Sequence, residues 1–352
     1  MMLAHNGWLW LQVAAIAFFG SLAVTGFMRF AGLGDSADGR SAHSGIIPTS
    51  GGVGIIAGLG LGLCATAFIF QGLELDRGFA PVITLLFAMG LLGLTDDLLT
   101  LGPKFKFGIM IVICAAAVRV IGAPEVLPGL YGPIVIPYWL GFSGAVLWLF
   151  VVTNIVNFMD GANGMIGLSL SVAFFALFGI GLIGGSAATM LLSVLFLMTL
   201  LGFLPYNLRH KAQVFGGDVG ALTLGFGFAV CVLFLIDGTP ERNLHLAGPI
   251  LILPLLVDTI LTICRRIRKR ENILRAHNQH LYQRLIQSGR GHLAVSSTYA
   301  VITLICANVV VFGSGKAWLE TPRVFLLMIG ALVTGWFLVG AALGNTRHHK
   351  TR

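Results

Sequence analysis

Leu94-Thr-Asp96-Asp97-Leu-Leu-Thr-Leu-Gly-Pro103-Lys104-Phe-Lys106 closes an apolar run that begins at Phe79. The run approaches the width of a bilayer, so both carboxylates fall where a membrane helix meets water. Adjacent carboxylates repel, and they stay ionised at low cost only beside a cation or a metal. Lys104 and Lys106 bring positive charge at once. A solvated helix end with mixed charges would read the same way, so the position of the chain's other polar clusters decides between the two.

The surrounding sequence is that of a membrane protein. Of its 352 residues 57% are hydrophobic and only 10% charged, with a mean hydropathy of +0.91. Water-soluble domains carry about a quarter charged residues, so that class is excluded. The chain is expected to be all-α and polytopic, with residues 1–352 forming one transmembrane domain. The net charge of +8 is read as a topology signal and gives no ground for a nucleic-acid partner. Cys64, Cys114, Cys231, Cys264 and Cys306 lie in or at the end of apolar runs without metal-ligand spacing, as small core residues do. The run 8–30 has no basic segment before it and reads as a retained first span rather than a signal peptide.

At roughly 17–25 residues per span, eleven spans are expected. They cover about 8–30, 51–70, 79–95, 107–122, 139–157, 166–183, 186–204, 219–236, 247–263, 293–313 and 323–343. If the first loop is inside, the inside segments hold seventeen Lys and Arg and the outside segments four. That bias puts the amino terminus outside and the carboxyl terminus in the cytoplasm, and an odd span number requires opposite ends.

On this topology the reactive clusters share the inner face. Asn154, Asn157 and Asp160 are spaced by three and share one helical face, with Gly161 allowing close approach of backbone or ligand. A polar helix cap gives the same pattern. Phe215-Gly-Gly-Asp218-Val-Gly220 places an aromatic, exposed backbone amides and an acid before a span, suiting a metal-bound nucleotide whose base stacks on the ring. Asp before a helix is also an ordinary N-cap. His277-Asn-Gln-His280-Leu-Tyr-Gln-Arg284 puts two histidines and an arginine on one face if helical, where they suit phosphate. A basic segment held to anionic lipid is the alternative. Asp258 lies inside a span, where an acid is functional or paired, with an arginine of the 265–270 run as the expected partner. Acids, phosphate-binding loops and a base-stacking ring at one face suggest Mg²⁺-dependent phosphoryl chemistry on a nucleotide. Eleven spans suggest that the second substrate is a lipid. A secondary transporter with a relay acid at Asp258 is the rival from another class.

Together these clusters resemble the polyprenyl-phosphate N-acetylhexosamine-1-phosphate transferase superfamily (glycosyltransferase family 4) from Asp35 to Arg284. The family's aspartate pair looks like Asp96-Asp97. Its Asn-x-x-Asn-x-x-Asp-Gly element looks like Asn154, Asn157, Asp160 and Gly161. Its Gly-Asp-x-Gly element looks like Gly217-Asp218-Val-Gly220, with Phe215 as the uracil-stacking ring, and its Arg-x-x-His pattern looks like Arg40 and His43. The His277-x-x-His280 form departs from the translocases' three consecutive histidines. It is similar to transferases that start O-antigen on FucNAc or QuiNAc. A glutamine expected near Met110 is missing.

The resemblance implies an enzyme that moves HexNAc-1-phosphate from a UDP-amino sugar to undecaprenyl phosphate, releasing UMP and starting an O-antigen or lipopolysaccharide-type glycan. Transfer of phospho-N-acetylmuramoyl-pentapeptide or GlcNAc-1-phosphate is the alternative within the superfamily. The implied catalytic residues are Asp96, Asp97 and Asp218, with Asp218 and Asp97 on Mg²⁺, or Mn²⁺ in its place. The implied substrate-binding residues are Arg40, His43, Lys106, Asn154, Asn157, Asp160, Gly161, Phe215, His277, His280 and Arg284. A multi-pass protein of the bacterial inner membrane with a periplasmic amino terminus follows, and the resemblance allows a homodimer.

Overall fold

The computed structural model describes residues 7–30, 34–35, 47–70, 75–76, 78–209, 211–239, 244–272, 277–316 and 322–350. Arg40 and His43 lie outside the described residues. Helices dominate: α1 Gly7–Met28, α2 Gly51–Ile69, α3 Phe79–Leu99, α4 Pro103–Ile121, α5 Tyr138–Met159, α6 Met165–Gly184, α7 Ala187–Asn207 and α8 Gly217–Gly238. After a 3₁₀ turn at Leu244–Leu246 come α9 Ala247–Leu251, α10 Leu253–Arg268, α11 Leu281–Gln287, α12 His292–Gly313 and α13 Arg323–Lys350. Two short antiparallel pairs complete the structure. β1 (Gly34–Asp35) pairs with β2 (Ile47–Pro48), and β3 (Val126–Gly129) pairs with β4 (Gly132–Val135). The Pro/Gly-rich loop 122–137 is thus a hairpin.

The protein is an all-α polytopic membrane protein. Among the described residues nine helices are long and apolar enough to cross a membrane, and a tenth span forms if α9 and α10 are one helix bent by 67°. The remaining expected span is α4. It is as long as α2, 19 residues, but carries Lys104, Lys106 and Arg119. It starts four residues before its apolar run because Pro103 takes the first helical position, where its missing N–H costs nothing. The α6–α7 hairpin turns at Gly185, and Ser186 caps α7 by accepting from Thr189 N.

Burial in lipid differs from burial in protein, and α8 shows the difference. Its most apolar 18-residue stretch is 94% buried in protein, against 6% for the span at Arg323–Leu343. α8 packs against α2, α3, α5, α6 and α7, so it is the post around which the bundle stands. Its first turn is held by Gly52, Asp97, Lys106 and Asn157, from four different helices.

Candidate active site

The first turn of α8 is built from two distant pieces of chain. Helix starts leave amide N–H groups without partners. Asp97, at the end of α3, supplies them: Oδ1 accepts from Asp218 N at 2.9 Å and Oδ2 from Val219 N at 3.1 Å. The turn before α8 is tied to the start of α2, with Phe215 N donating to Pro48 O, Gly51 N to Phe215 O and Gly52 N to Gly216 O. Gly217 has φ +65°, and a Cβ there would strike Thr49 O and lie 2.7 Å from Asp97 Oδ2, so only glycine fits.

Asp218 therefore leaves α8 in one direction, toward Lys106 and Asn157. The Lys106 ammonium bridges Asp218 Oδ2 and Asp96 Oδ2, the latter at 2.8 Å. Asn157 Nδ2 donates to Asp218 Oδ1 at 2.7 Å, and Asp96 Oδ1 accepts from Leu101 N at 2.7 Å. The structure thus gives the two aspartates different partners. Asp97, expected on the metal, is engaged as the cap of α8, while Asp96 shares a cation with Asp218.

A cavity of about 390 Å³ opens beside this cluster. Its polar wall holds Asp96, Lys106, Asn154, Asn157, Asp160, Gly161, His277, His280 and Tyr282, and its apolar wall includes Phe107, Phe150, Val151, Ile155, Ile260 and Ile263. The expected face of Asn154, Asn157 and Asp160 is present. Asn154 turns its amide back to Phe150 O at 2.7 Å, leaving Asn157 and the helix-end Asp160 as the reaching members. Burial, then the charges of Asp218 and Asp97, push the Asp160 carboxyl up to about 7. Phe215 is held by its backbone on the Pro48–Gly51 side, and the cavity lining does not include its ring.

The histidine segment differs from expectation. It is not one helix: α11 begins at Leu281, with His280 as its N-cap and His277 in the extended segment before it. Arg265 donates to Gln279 O and Oε1, Arg266 pairs with Glu271 at 3.1 Å and reaches Asn272 O at 2.6 Å, and Gln279 Nε2 donates to Glu271. These bonds tie Glu271, Asn272 and Gln279 to the end of α10. The two imidazoles still meet, with centroids 4.8 Å apart. Arg284 does not join them, because its Nη2 donates to Gly340 O on α13 at 3.0 Å and it is not in the cavity lining. Burial, then the neighbouring His280, hold His277 down at about 4, and burial also lowers His280 against the pull of Asp258. Both rings are neutral donors and acceptors at neutral pH, not a cationic pair.

Asp258 is a second correction. Its carboxylate takes backbone, tyrosine, tryptophan and threonine donors, while Arg265 and Arg266 turn to the loop. A carboxylate so occupied is a poor proton relay. Three polar cavity residues escaped the sequence reading, Thr259, Tyr282 and Gln283. The last two lie inside the quoted histidine stretch, at the start of α11.

The cluster can hold a hard divalent ion. The Lys106 ammonium already occupies the space between Asp96 and Asp218, so that space accepts a cation. Its donors are oxygens, and Mg²⁺ is held by one or two carboxylates with substrate phosphates rather than by a full protein cage. Among the described residues no three His, Cys, Asp or Glu side chains group to hold an ion unaided.

The profile of glycosyl transferase family 4 matches residues 79–236, from the first residue of α3 almost to the end of α8. That span carries Asp96, Asp97, Lys106, Asn157, Asp160 and Asp218. Over that stretch the chain is similar to glycosyl transferase family 4. Three relatives extend the likeness beyond the matched stretch. A probable undecaprenyl-phosphate N-acetylglucosaminyl 1-phosphate transferase of Bacillus subtilis (strain 168) is 28% identical over 303 residues, covering 84% of this chain and 81% of the relative. A decaprenyl-phosphate N-acetylglucosaminephosphotransferase of Mycobacterium tuberculosis is 29% identical over 327 residues, covering 84% and 78%. An undecaprenyl-phosphate alpha-N-acetylglucosaminyl 1-phosphate transferase of Yersinia pestis is 26% identical over 297 residues, covering 80% and 76%.

Proposed function

We propose that this chain is a glycosyl transferase of family 4 and transfers an N-acetylhexosamine-1-phosphate from a UDP-amino sugar to a polyprenyl phosphate of the undecaprenyl type, with UMP leaving. One observation carries the reading: a single cavity joins an acid, amide and lysine wall to an apolar wall of α4, α5 and α10 residues. A phosphate and a hydrocarbon chain can meet there without either being misplaced. The names of the relatives point the same way.

In the reaction an oxygen of the lipid phosphate bonds to the sugar-linked phosphorus, and the bridging bond to UMP breaks. One pyrophosphate replaces another, so the exchange is near thermoneutral. Asp218 and Asp96 would hold Mg²⁺, with Mn²⁺ as substitute, and the ion when bound neutralises phosphate charge. The chain's own residues do the rest. Lys106 offers an ammonium to the donor phosphates once it leaves Asp218. Asn157 orients Asp218. Asp160, raised to about 7 by burial, can take a proton from the incoming phosphate near neutral pH. Neutral His277 and His280 hydrogen-bond the opposite side. The turn at Phe215, glycine-lined and next to Asp218, is assigned to the uridine. We place the product at the start of a lipid-linked envelope glycan of the O-antigen type, with the site facing the cytoplasm.

The test is direct. Purified protein with Mg²⁺, undecaprenyl phosphate and a panel of UDP-amino sugars should release UMP with at least one donor, and only when the lipid is present. No release with any donor, including UDP-GlcNAc, would sink the assignment.

A further inference from the structure

Away from the acid cluster, the most heavily engaged buried group is Asp258. It lies in α10 and is 1% exposed. Donors from four helices converge on its two oxygens. Oδ1 accepts from Leu281 N at 2.7 Å, Thr262 Oγ1 at 3.2 Å and Trp336 Nε1 at 3.2 Å. Oδ2 accepts from Tyr282 N at 3.2 Å and the Tyr299 hydroxyl at 2.7 Å. The carboxylate itself stays out of the cavity lining.

What it holds does line the cavity. Leu281 and Tyr282 open α11, a helix of seven residues, too short to be stable by itself. Asp258 gives its first two amides their partners. The helix start in turn fixes two side chains. The fully buried Tyr282 sends its hydroxyl across to Phe158 O on α5 at 3.2 Å. It packs so closely on Gly161 that a Cβ there would collide with the hydroxyl. His280, the residue just before the helix, has its Nδ1 4.0 Å from Asp258 Oδ1 and its ring between Phe158 and His277. A continuous chain of contacts therefore runs from Asp258 through Tyr282 and His280 to the end of α5, where Asn157 and Asp160 sit.

We infer that Asp258 is a positioning residue: by clamping the start of α11 it sets the gap between the His277–His280 wall and the Asn157–Asp160 wall of the cavity. This rests on the transfer reading above. Phosphate chemistry of that kind depends on donors held within a few tenths of an ångström, and a carboxylate suits the position because only an acceptor-only group can satisfy five donors. An asparagine must turn its NH₂ toward one of them. An aliphatic replacement leaves buried N–H groups without partners.

The alternative is that Asp258 merely glues α13 and α12 to the bundle. A double-mutant cycle with hydrogen exchange, on the full chain in detergent–lipid micelles, separates the two. Asp258→Asn is expected to lower kcat at least tenfold, with KM for both substrates within threefold of wild type. In a His280→Ala background it should cost less than threefold more, because the wall it positions is already gone. Amides of 277–287 should exchange at least tenfold faster, while α8 keeps its protection. If Asp258→Asn does not accumulate, Tyr299→Phe and Trp336→Phe carry the same cycle, since each removes one donor and leaves the carboxylate. Multiplying rate losses in the cycle, or unchanged exchange at 277–287 in a folded variant, would overturn the inference. The exchange measurement needs no turnover. A wild-type chain inactive with every donor would sink the transfer reading, and exchange alone would then decide the role of Asp258.

Discussion

Asp97 accepts the backbone N–H of Asp218, a residue 121 positions further along the chain, at 2.9 Å. The two acids are thus coupled through a helix start. Asp97→Asn keeps one acceptor and turns an NH₂ toward the other amide. Turnover should fall at least a hundredfold, with the Mg²⁺ concentration for half-maximal rate within threefold of wild type. Asp218→Asn should abolish turnover and weaken that dependence. Metal titrations of UMP release tell them apart, and equal shifts in both variants would return Asp97 to the metal.

Lys106 holds the space between Asp96 and Asp218. Removing its charge by Lys106→Met leaves two close carboxylates without a counter-ion. Without substrate, Mn²⁺ binding followed by electron paramagnetic resonance should tighten at least threefold. Turnover should drop at least a hundredfold, because the donor phosphates lose their ammonium. Unchanged Mn²⁺ affinity would move the ion elsewhere.

Arg284 donates to Gly340 O on α13 and is not in the cavity lining. Lysine can also donate to a carbonyl, so Arg284→Lys should keep kcat within threefold. His280→Ala, in the cavity wall, should lower it at least tenfold, about 1.4 kcal/mol. Parallel losses in both variants would put Arg284 back among the phosphate donors.

His277 titrates at about 4 in the fold and near 6.5 in an unfolded chain. Between these values the unfolded chain binds more protons, so its contribution to stability falls as pH drops through the window. Asp160, raised to about 7, works in the opposite sense, so the His277 share shows in a difference. Wild type should lose a few degrees of melting temperature between pH 7 and pH 5 relative to His277→Gln. Parallel pH curves would mean that His277 is not held neutral.

The α8 post has Asp218 at one end and Asp237 at the other, so labelling can report sidedness. Cysteines placed at Tyr131, 98% exposed on the β3–β4 turn, and at Gly315 should react with an impermeant thiol reagent from outside. A cysteine at the exposed Lys211 should be protected in intact cells. The seventeen-to-four charge bias motivates this, and outside labelling of Lys211 would invert the membrane orientation.

The helices were legible because lipid demands long apolar runs, and each expected run coincides with a described helix or with the bent α9–α10 pair. The Asn154–Asp160 face was legible because a spacing of three needs only a helix to become a face. The histidine segment was not, although its spacing is the same. Arg265 and Gln279 bond each other, and Asp258 accepts from the helix start at Leu281; these contacts are set by tertiary packing. The division of labour between Asp96 and Asp97 was hidden for a related reason. It depends on where α8 begins, and nothing near the pair in sequence states that.

The long wait between Asp97 and its partner has a bearing on biogenesis. A ribosome adding about 5–20 residues per second takes on the order of ten seconds to deliver α8, and meanwhile α3 already carries two acids at a bilayer border. Lys106 follows Asp96 by only ten residues and bonds it in the finished protein, so the nascent hairpin of α3 and α4 brings its own counter-charge into the insertion machinery. The same lysine that bridges Asp96 and Asp218 in the finished protein is thus at hand before Asp218 is made.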